Sequence, residues 1–212
     1  DNLLAHPVAA VFAIASKFLI RYRGKHLLNP ANGAVIASLL FVPGTWVSAG
    51  QWGQDVALAA WLVVLGALVA GRARRADVSW IFLAFHLGAL GLRILWLGQR
   101  PAVWLHQLEN GALLLFAFFM ISDPMTAPNH VRGRVAHAAA VTAIAYLWQY
   151  ALYETNALLW ALFLASPLVP LWDFIWAAPK YEWNQGGSRH ASITTVPSLR
   201  RARRGAPLLQ RG

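Results

Sequence analysis

Seven ionisable side chains, Lys17, His86, Arg93, His106, Glu109, His137 and Asp173, lie inside otherwise apolar runs of this 212-residue chain. A charge at membrane depth costs at least ~2.5 kcal/mol on insertion scales, so each needs a partner or a task. His86 and Arg93 are seven residues apart and share one helical face, while His106 and Glu109 are three apart and can touch. The chemistry open to such groups is proton or cation transfer, and His106 with Glu109 is the candidate ion path. The plainer readings are structural. Lys17 can snorkel to an interface or pair with a carboxylate such as Asp173, Arg93 can snorkel near Gly98, and Glu109 can complement the dipole of its own helix.

Two further segments combine Asn or Asp with Pro at a predicted helix boundary: Lys25 to Gly33, containing Asn29-Pro30-Ala31-Asn32, and Ser122-Asp123-Pro124-Met125-Thr126-Ala127-Pro128, which follows Phe118-Phe119-Met120. Asx side chains cap backbone N–H groups, and Pro stops the preceding helix from simply continuing. Broken backbone at membrane depth is tolerated only where protein or a polar cavity buries it, and freed helix ends can then hold a polar ligand or an ion. The two breaks are thus candidate halves of one site; the alternative is two ordinary turns. No histidine pair shows the spacing of a zinc site, and no Ser-His-Asp set or phosphate-binding glycine loop is visible.

The elements that must position these residues are helices in a bilayer. Of the residues, 58% are hydrophobic and only 12% charged, about half the usual charge of a soluble domain. The net charge of +10 does not indicate nucleic acid, because the cations avoid the apolar runs and gather in short loops and beyond Lys180. With no cysteine, disulfides and Cys-ligated clusters are excluded from the chain. A span needs ~20 apolar residues, and about seven can be drawn, over residues 7–22, 34–47, 55–70, 78–97, 103–122, 134–152 and 157–177, with a kink expected at Pro167 and Pro170. The fold class is therefore all-α and polytopic, with residues 1–178 as the membrane domain and 179–212 as a flexible basic tail.

Orientation follows from Lys and Arg, which are retained on the cytoplasmic side of short loops. Arg21, Arg23 and Lys25, then Arg72, Arg74 and Arg75, then Arg132 and Arg134, and seven cations from Lys180 onward make fifteen on one side, against Arg100 on the other. The carboxyl end is expected in the cytoplasm and Asp1 outside. Trp46, Trp52, Trp80, Trp96, Trp104, Trp172 and Trp176 fall near predicted helix ends, where interfacial tryptophans belong.

The Asn29-Pro30-Ala31-Asn32 segment, Asn110-Gly111-Ala112-Leu113-Leu114, the run from Phe118 to Pro128, Arg132-Gly133-Arg134 and Ser166 to Asp173 together resemble the RnfD/NqrB family, over roughly residues 14–177. Its members are flavin-carrying membrane subunits of the Rnf complex and of the sodium-pumping NADH:quinone oxidoreductase. The resemblance implies a ten-helix fold of two related halves, of which these seven helices are the last seven, and the expectation that a segment before Asp1 is missing or processed. It implies a bacterial inner (cytoplasmic) membrane location and partnership with other membrane subunits. In the family, FMN is esterified to a threonine in a Ser-Gly-Ala-Thr-like segment. Here the corresponding stretch has Ser48-Ala49-Gly50 with no following Thr, and Thr45 has the wrong neighbours, so no covalent FMN is expected. Family members also hold riboflavin among the helices. The expected ligand is accordingly noncovalent riboflavin or FMN, with Asn29, Asn32, Phe119, Asp123 and Thr126 as candidate contacts. Two other functions fit the sequence: a urea-transporter-like small-solute or ion channel, and a cofactor-free structural subunit.

Overall fold

The computed structural model describes residues 3–47, 56–108 and 110–182. The basic tail expected after Lys180 falls almost entirely outside the described residues, as do Ser48, Ala49, Gly50, Trp52 and Glu109.

Helix α1, Ala5–Leu19, ends earlier than the apolar run suggests, because residues 21–26 fold into a two-stranded hairpin, β1 Arg21–Tyr22 and β2 Lys25–His26. Tyr22 pairs with Lys25, leaving Arg23 and Gly24 as a two-residue turn with φ of 49° and 79°. Positive φ at both central residues defines the type I′ turn that matches strand twist. Glycine takes this conformation freely, and arginine does so only under strain.

Helix α2, Pro30–Phe41, begins four residues before the predicted Ala34. Pro30 sits in the first turn, where its missing N–H costs nothing, and the Asn29 side chain accepts from Ala31 N and Asn32 N, both at 3.1 Å. At 12 residues α2 is only ~18 Å long. Helix α3, Val56–Arg72, packs Gly66 against the Phe118 side chain; a Cβ at Gly66 would lie 2.5 Å from Phe118 Cβ. Gly66→Ala is therefore expected to destabilise the fold by about 1–3 kcal/mol through overpacking, measurable as a lowered unfolding midpoint in detergent. Gly71→Ala, which meets nothing within 4 Å, is the matched control.

Helix α4, Ala76–Trp96, is 21 residues long, ~31 Å, enough to cross a hydrocarbon core. The predicted fifth helix is not continuous. It is α5, Pro101–Leu108, then α6, Gly111–Leu115, running into a π-helical turn over Phe116–Met120. Asn110 restarts the helix by accepting from Ala112 N at 2.9 Å. Trp104, in the first turn of α5, donates to the Leu87 carbonyl in the middle of α4 at 2.9 Å, and Gly91 leaves room for its ring, so this tryptophan packs against the face of α4.

Helix α7, Val131–Tyr150, is followed by α8, Ala157–Ala165, a 3-10 turn at Ser166–Leu168, and α9, Val169–Ile175. The change of helix type falls where Pro167 and Pro170 remove two N–H donors, and Ser166 Oγ turns back to the Leu162 carbonyl at 2.6 Å. The 19-residue stretch Ala157–Ile175 is also long and apolar enough to cross a membrane.

The core lies between α4, α6 with its π turn, α7 and α8, filled by Phe82, Phe116, Phe118 and Val141. Ala138 and Ala145 on α7 and Ala161 and Ala165 on α8 are fully covered, the small residues that let helices approach closely in lipid. Outward positions are apolar as well: Val11, Ile14 and Phe18 on α1, Leu92, Leu95 and Trp96 on α4. Helices apolar on their outer faces need a nonpolar surrounding, and the described residues form a mostly helical fold of the kind a membrane protein has.

Candidate functional site

Both Asx-Pro segments and the last helix meet at one end of the bundle. Lys25 Nζ, buried, donates to Asp173 Oδ2 at 2.9 Å, to the Ala127 carbonyl at 2.6 Å and to Asn129 Oδ1 at 3.3 Å. Asn129 completes the clamp on the same carboxylate: its backbone N–H reaches Asp173 Oδ1 at 2.7 Å and its amide nitrogen Oδ2 at 3.1 Å. The Asn129 carbonyl accepts from Arg134 Nη1 at 2.6 Å, and Arg134 pairs with Asp77 through Nε at 2.7 Å and Nη2 at 2.6 Å. Arg75 lies beside this cluster with its guanidinium over the Tyr181 ring. Burial pushes the Lys25 amine below the usual lysine range, against the opposing hydrogen bond and charge of Asp173. Arg75 is lowered too, by burial first and then by the Arg134 charge. The hairpin, the α3–α4 connection, the 121–134 segment and the end of α9 thus share one end, as the charge pattern predicts.

A second set of bonds joins the breaks themselves. Asn29 Nδ2 donates to the Met120 carbonyl at 3.2 Å and to Asp123 Oδ2 at 3.5 Å, while its oxygen caps α2. Asp123 Oδ1 accepts from Met125 N at 3.0 Å, and its carbonyl accepts from Ala127 N, Thr126 N and Thr126 Oγ1. The π turn, closed by Ile121 N on the Phe116 carbonyl at 3.0 Å, has its last carbonyl bonded by Asn29 Nδ2 and, at 3.4 Å, by Asp123 N. Such π insertions need outside support, because they interrupt the regular helical ladder.

Asn29, Asp123 and Thr126 are therefore brought together, with their polar atoms taken up by backbone and by one another. Asn32 is 1% exposed and its Oδ1 has no hydrogen-bond partner among the described residues. Phe119 is 40% exposed, beside Gly66 of α3. Asp173 pairs with Lys25, not with Lys17, which is exposed in the last turn of α1. His106 is exposed on α5, and its candidate partner Glu109 lies outside the described residues. His86 and Arg93 do share a face, meeting two tyrosines of α7: His86 edge-on to Tyr146, and Arg93 over the Tyr150 ring at 4.1 Å. Asn129 is the residue of this cluster that the sequence does not single out. Its only local signal is its place after Pro128, and nothing there announces a carboxylate 44 residues away.

A cavity of about 580 Å³ opens toward the opposite end, between α2, α4, α6 and the α7–α8 connection. Phe116 and Met120, the two ends of the π turn, form part of its wall, with His86, Gln149, Glu154 and Asn156. His86 Nδ1 and Asn156 Oδ1 are buried and without hydrogen-bond partners among the described residues. The volume lies within the ~300–1,000 Å³ of small-molecule sites, which are mostly apolar with a few convergent polar atoms.

The sequence model of the NQR2, RnfD, RnfE family matches residues 13–182. Among curated proteins, the chain is 26% identical over 129 residues to the D subunit of the ion-translocating oxidoreductase complex of Escherichia fergusonii, covering 61% of this chain and 32% of that protein. The same subunit of Psychromonas ingrahamii is 34% identical over 70 residues, 33% of this chain and 20% of the relative. Its counterpart in Haemophilus influenzae is 36% identical over 67 residues, 32% of this chain and 19% of the relative. The chain thus spans about a third or less of the length of these relatives. The match takes in both Asx-Pro segments and Asp173 together, and the chain belongs to the NQR2, RnfD, RnfE family.

Proposed function

We propose that the chain is a membrane subunit of an ion-translocating oxidoreductase assembly, taking part in electron transfer through a noncovalently held flavin. The observation that carries this reading is the coupling of the two family segments to a cavity wall: Asn29 holds the Met120 carbonyl at 3.2 Å, and Met120 and Phe116 line the 580 Å³ cavity. On this reading the Asn29–Asp123–Thr126 cluster positions the wall, with Asn32 and Phe119 packed beside it. The flavin lies in the cavity instead, because the cluster has few polar atoms left to offer.

The residues present fit such a group. Phe116 and Met120 supply apolar contact, and His86 Nδ1 and Asn156 Oδ1 are two buried polar atoms still lacking a partner among the described residues. A flavin supplies one- and two-electron chemistry when bound. The chain's own part is to orient the ring and exclude water. The helices are read as about seven crossings, with α2 a partial one and the basic end in the cytoplasm of the inner membrane, since fifteen of the Lys and Arg residues fall on that side. His106 and Glu109 remain the ion-path candidates of this reading.

Full-length chain purified gently from its own membrane is expected to show the visible flavin band, released on denaturation. His86→Phe is expected to lower flavin retention about tenfold, the worth of one buried hydrogen bond. A colourless protein in stoichiometric complex with other subunits decides for the structural-subunit reading. The solute-channel reading requires helix ends at the breaks that are open to a ligand, and here Asn29 and Asp123 already fill them.

A further inference from the structure

At the basic end, a separate cavity of about 280 Å³ lies between the hairpin, Asn129 and the end of α9. Three cations, Arg23, Lys25 and Lys180, line it against one carboxylate, Asp173. That carboxylate is already neutralised by Lys25 at 2.9 Å and bonded by Asn129 through both oxygens, so the charge left facing the cavity is positive. His26 also lines it, and its Nδ1 is buried with no hydrogen-bond partner among the described residues. The opposite wall is apolar, made by Leu27, Val169, Pro170, Ala177 and Ala178.

The hairpin is built to present these groups. Arg23 occupies the first position of the type I′ turn at φ 49°, where Asn or Gly is the favoured residue, so the turn carries strain to keep an arginine there. Gly24 follows at φ 79°, and a Cβ on it would come within 2.5 Å of Lys180 Nζ, which places the Lys180 ammonium against the turn. Two cations from segments far apart in sequence thus flank one opening.

We propose that this cavity binds the phosphate of an anionic glycerophospholipid headgroup, with Arg23, Lys180 and His26 Nδ1 as its contacts and the apolar wall against the glycerol and upper acyl region. The volume is just below the ~300 Å³ at which whole-ligand pockets begin, a size for a headgroup rather than a large soluble ligand. The place also suits lipid, because basic pockets between helix ends at the membrane surface attract anionic headgroups. The site does not depend on the flavin reading, and a flavin-free protein leaves it intact.

The test uses full-length chain in phosphatidylcholine nanodiscs, with phosphatidylglycerol titrated in and the unfolding midpoint and retained lipid measured, the latter by native mass spectrometry. Wild type is expected to gain stability with phosphatidylglycerol and to retain it after washing. Arg23→Gln and Lys180→Gln are each expected to weaken retention about fivefold, and the double variant about thirtyfold. Arg72→Gln with Arg132→Gln removes the same charge from exposed positions outside the cavity and is expected to change retention less than about twofold. An equal loss in that control overturns the proposal in favour of general surface attraction. So does a full stabilising effect of inorganic phosphate or glycerol 3-phosphate in pure phosphatidylcholine, which assigns the site to a free phosphate. Should the double variant fail to fold, the two single variants decide: unchanged retention in both overturns the proposal.

Discussion

Asp173→Ala is expected to destabilise the fold by about 3–5 kcal/mol, because it leaves the buried Lys25 ammonium without its counter-ion. The Ala127 carbonyl and Asn129 Oδ1 would remain as acceptors, but neither carries charge. The measurement is equilibrium unfolding in detergent, and a loss below about 1 kcal/mol would sink the assignment of this pair as the main tie between the hairpin and α9. The Lys25→Met, Asp173→Leu double variant is expected to recover most of the loss, since breaking a buried pair costs more than replacing it. The pH dependence has a defined sign. Burial lowers the Lys25 pKa in the folded chain, so between that value and the ordinary lysine value the unfolded chain binds more protons, and stability rises with pH. Removing Asp173 removes the hydrogen bond and charge that hold the value up. The rising limb should then begin nearer neutral pH in Asp173→Ala than in wild type.

Asn29→Ala is expected to cost about 1–3 kcal/mol, the sum of a lost helix cap and the loss of the shorter of two hydrogen bonds to the Met120 carbonyl, which is then left to Asp123 N alone at 3.4 Å. Asn29→Asp separates the two. It keeps the oxygen that caps Ala31 and Asn32 but loses the donor to Met120, and it sets a second carboxylate about where Asn29 Nδ2 lies 3.5 Å from Asp123. At neutral pH it should therefore be clearly less stable than wild type, with part of the loss recovered on acidification as the like charges are relieved. Wild-type stability of Asn29→Asp at neutral pH would show that the amide donor does not support the π turn. If the π turn shapes the larger cavity, flavin retention should fall in both variants while Gly66→Ala, which perturbs the α3 side of the same turn, has a smaller effect on it.

Part of this fold is legible in the sequence because it is local or compositional. Helix α4 is a long apolar run with Asp77 in its first turn and Arg93 in its last. The break at Pro167 and Pro170 follows from missing N–H donors. Asn29 as a cap follows from Asx chemistry before Pro, although starting α2 at Ala34 treats its first turn as broken backbone and so places the helix too late. The split of the predicted fifth helix is harder to see. Apolar periodicity continues across residue 110, and only the Asn-Gly pair there hints at a new start. The π turn has no sequence signal, since Phe116 to Met120 would serve equally well in an α-helix.

Composition, charge order and capping chemistry act over a few residues and need no knowledge of what packs where. They are enough to read the chain as a helical membrane protein with most of its cations expected on one side, and to mark its two Asx-Pro segments as candidate halves of one site. The choice of partners came from the packing of distant helices. It put Asp173 with Lys25 rather than Lys17, made Asn129 the hub between them, and turned the polar atoms of Asn29, Asp123 and Thr126 onto the backbone, leaving the open space in a cavity behind the π turn. A buried ion pair or orphaned carbonyl must be satisfied by whatever lies within about 3 Å, and that neighbour is set by how the helices cross.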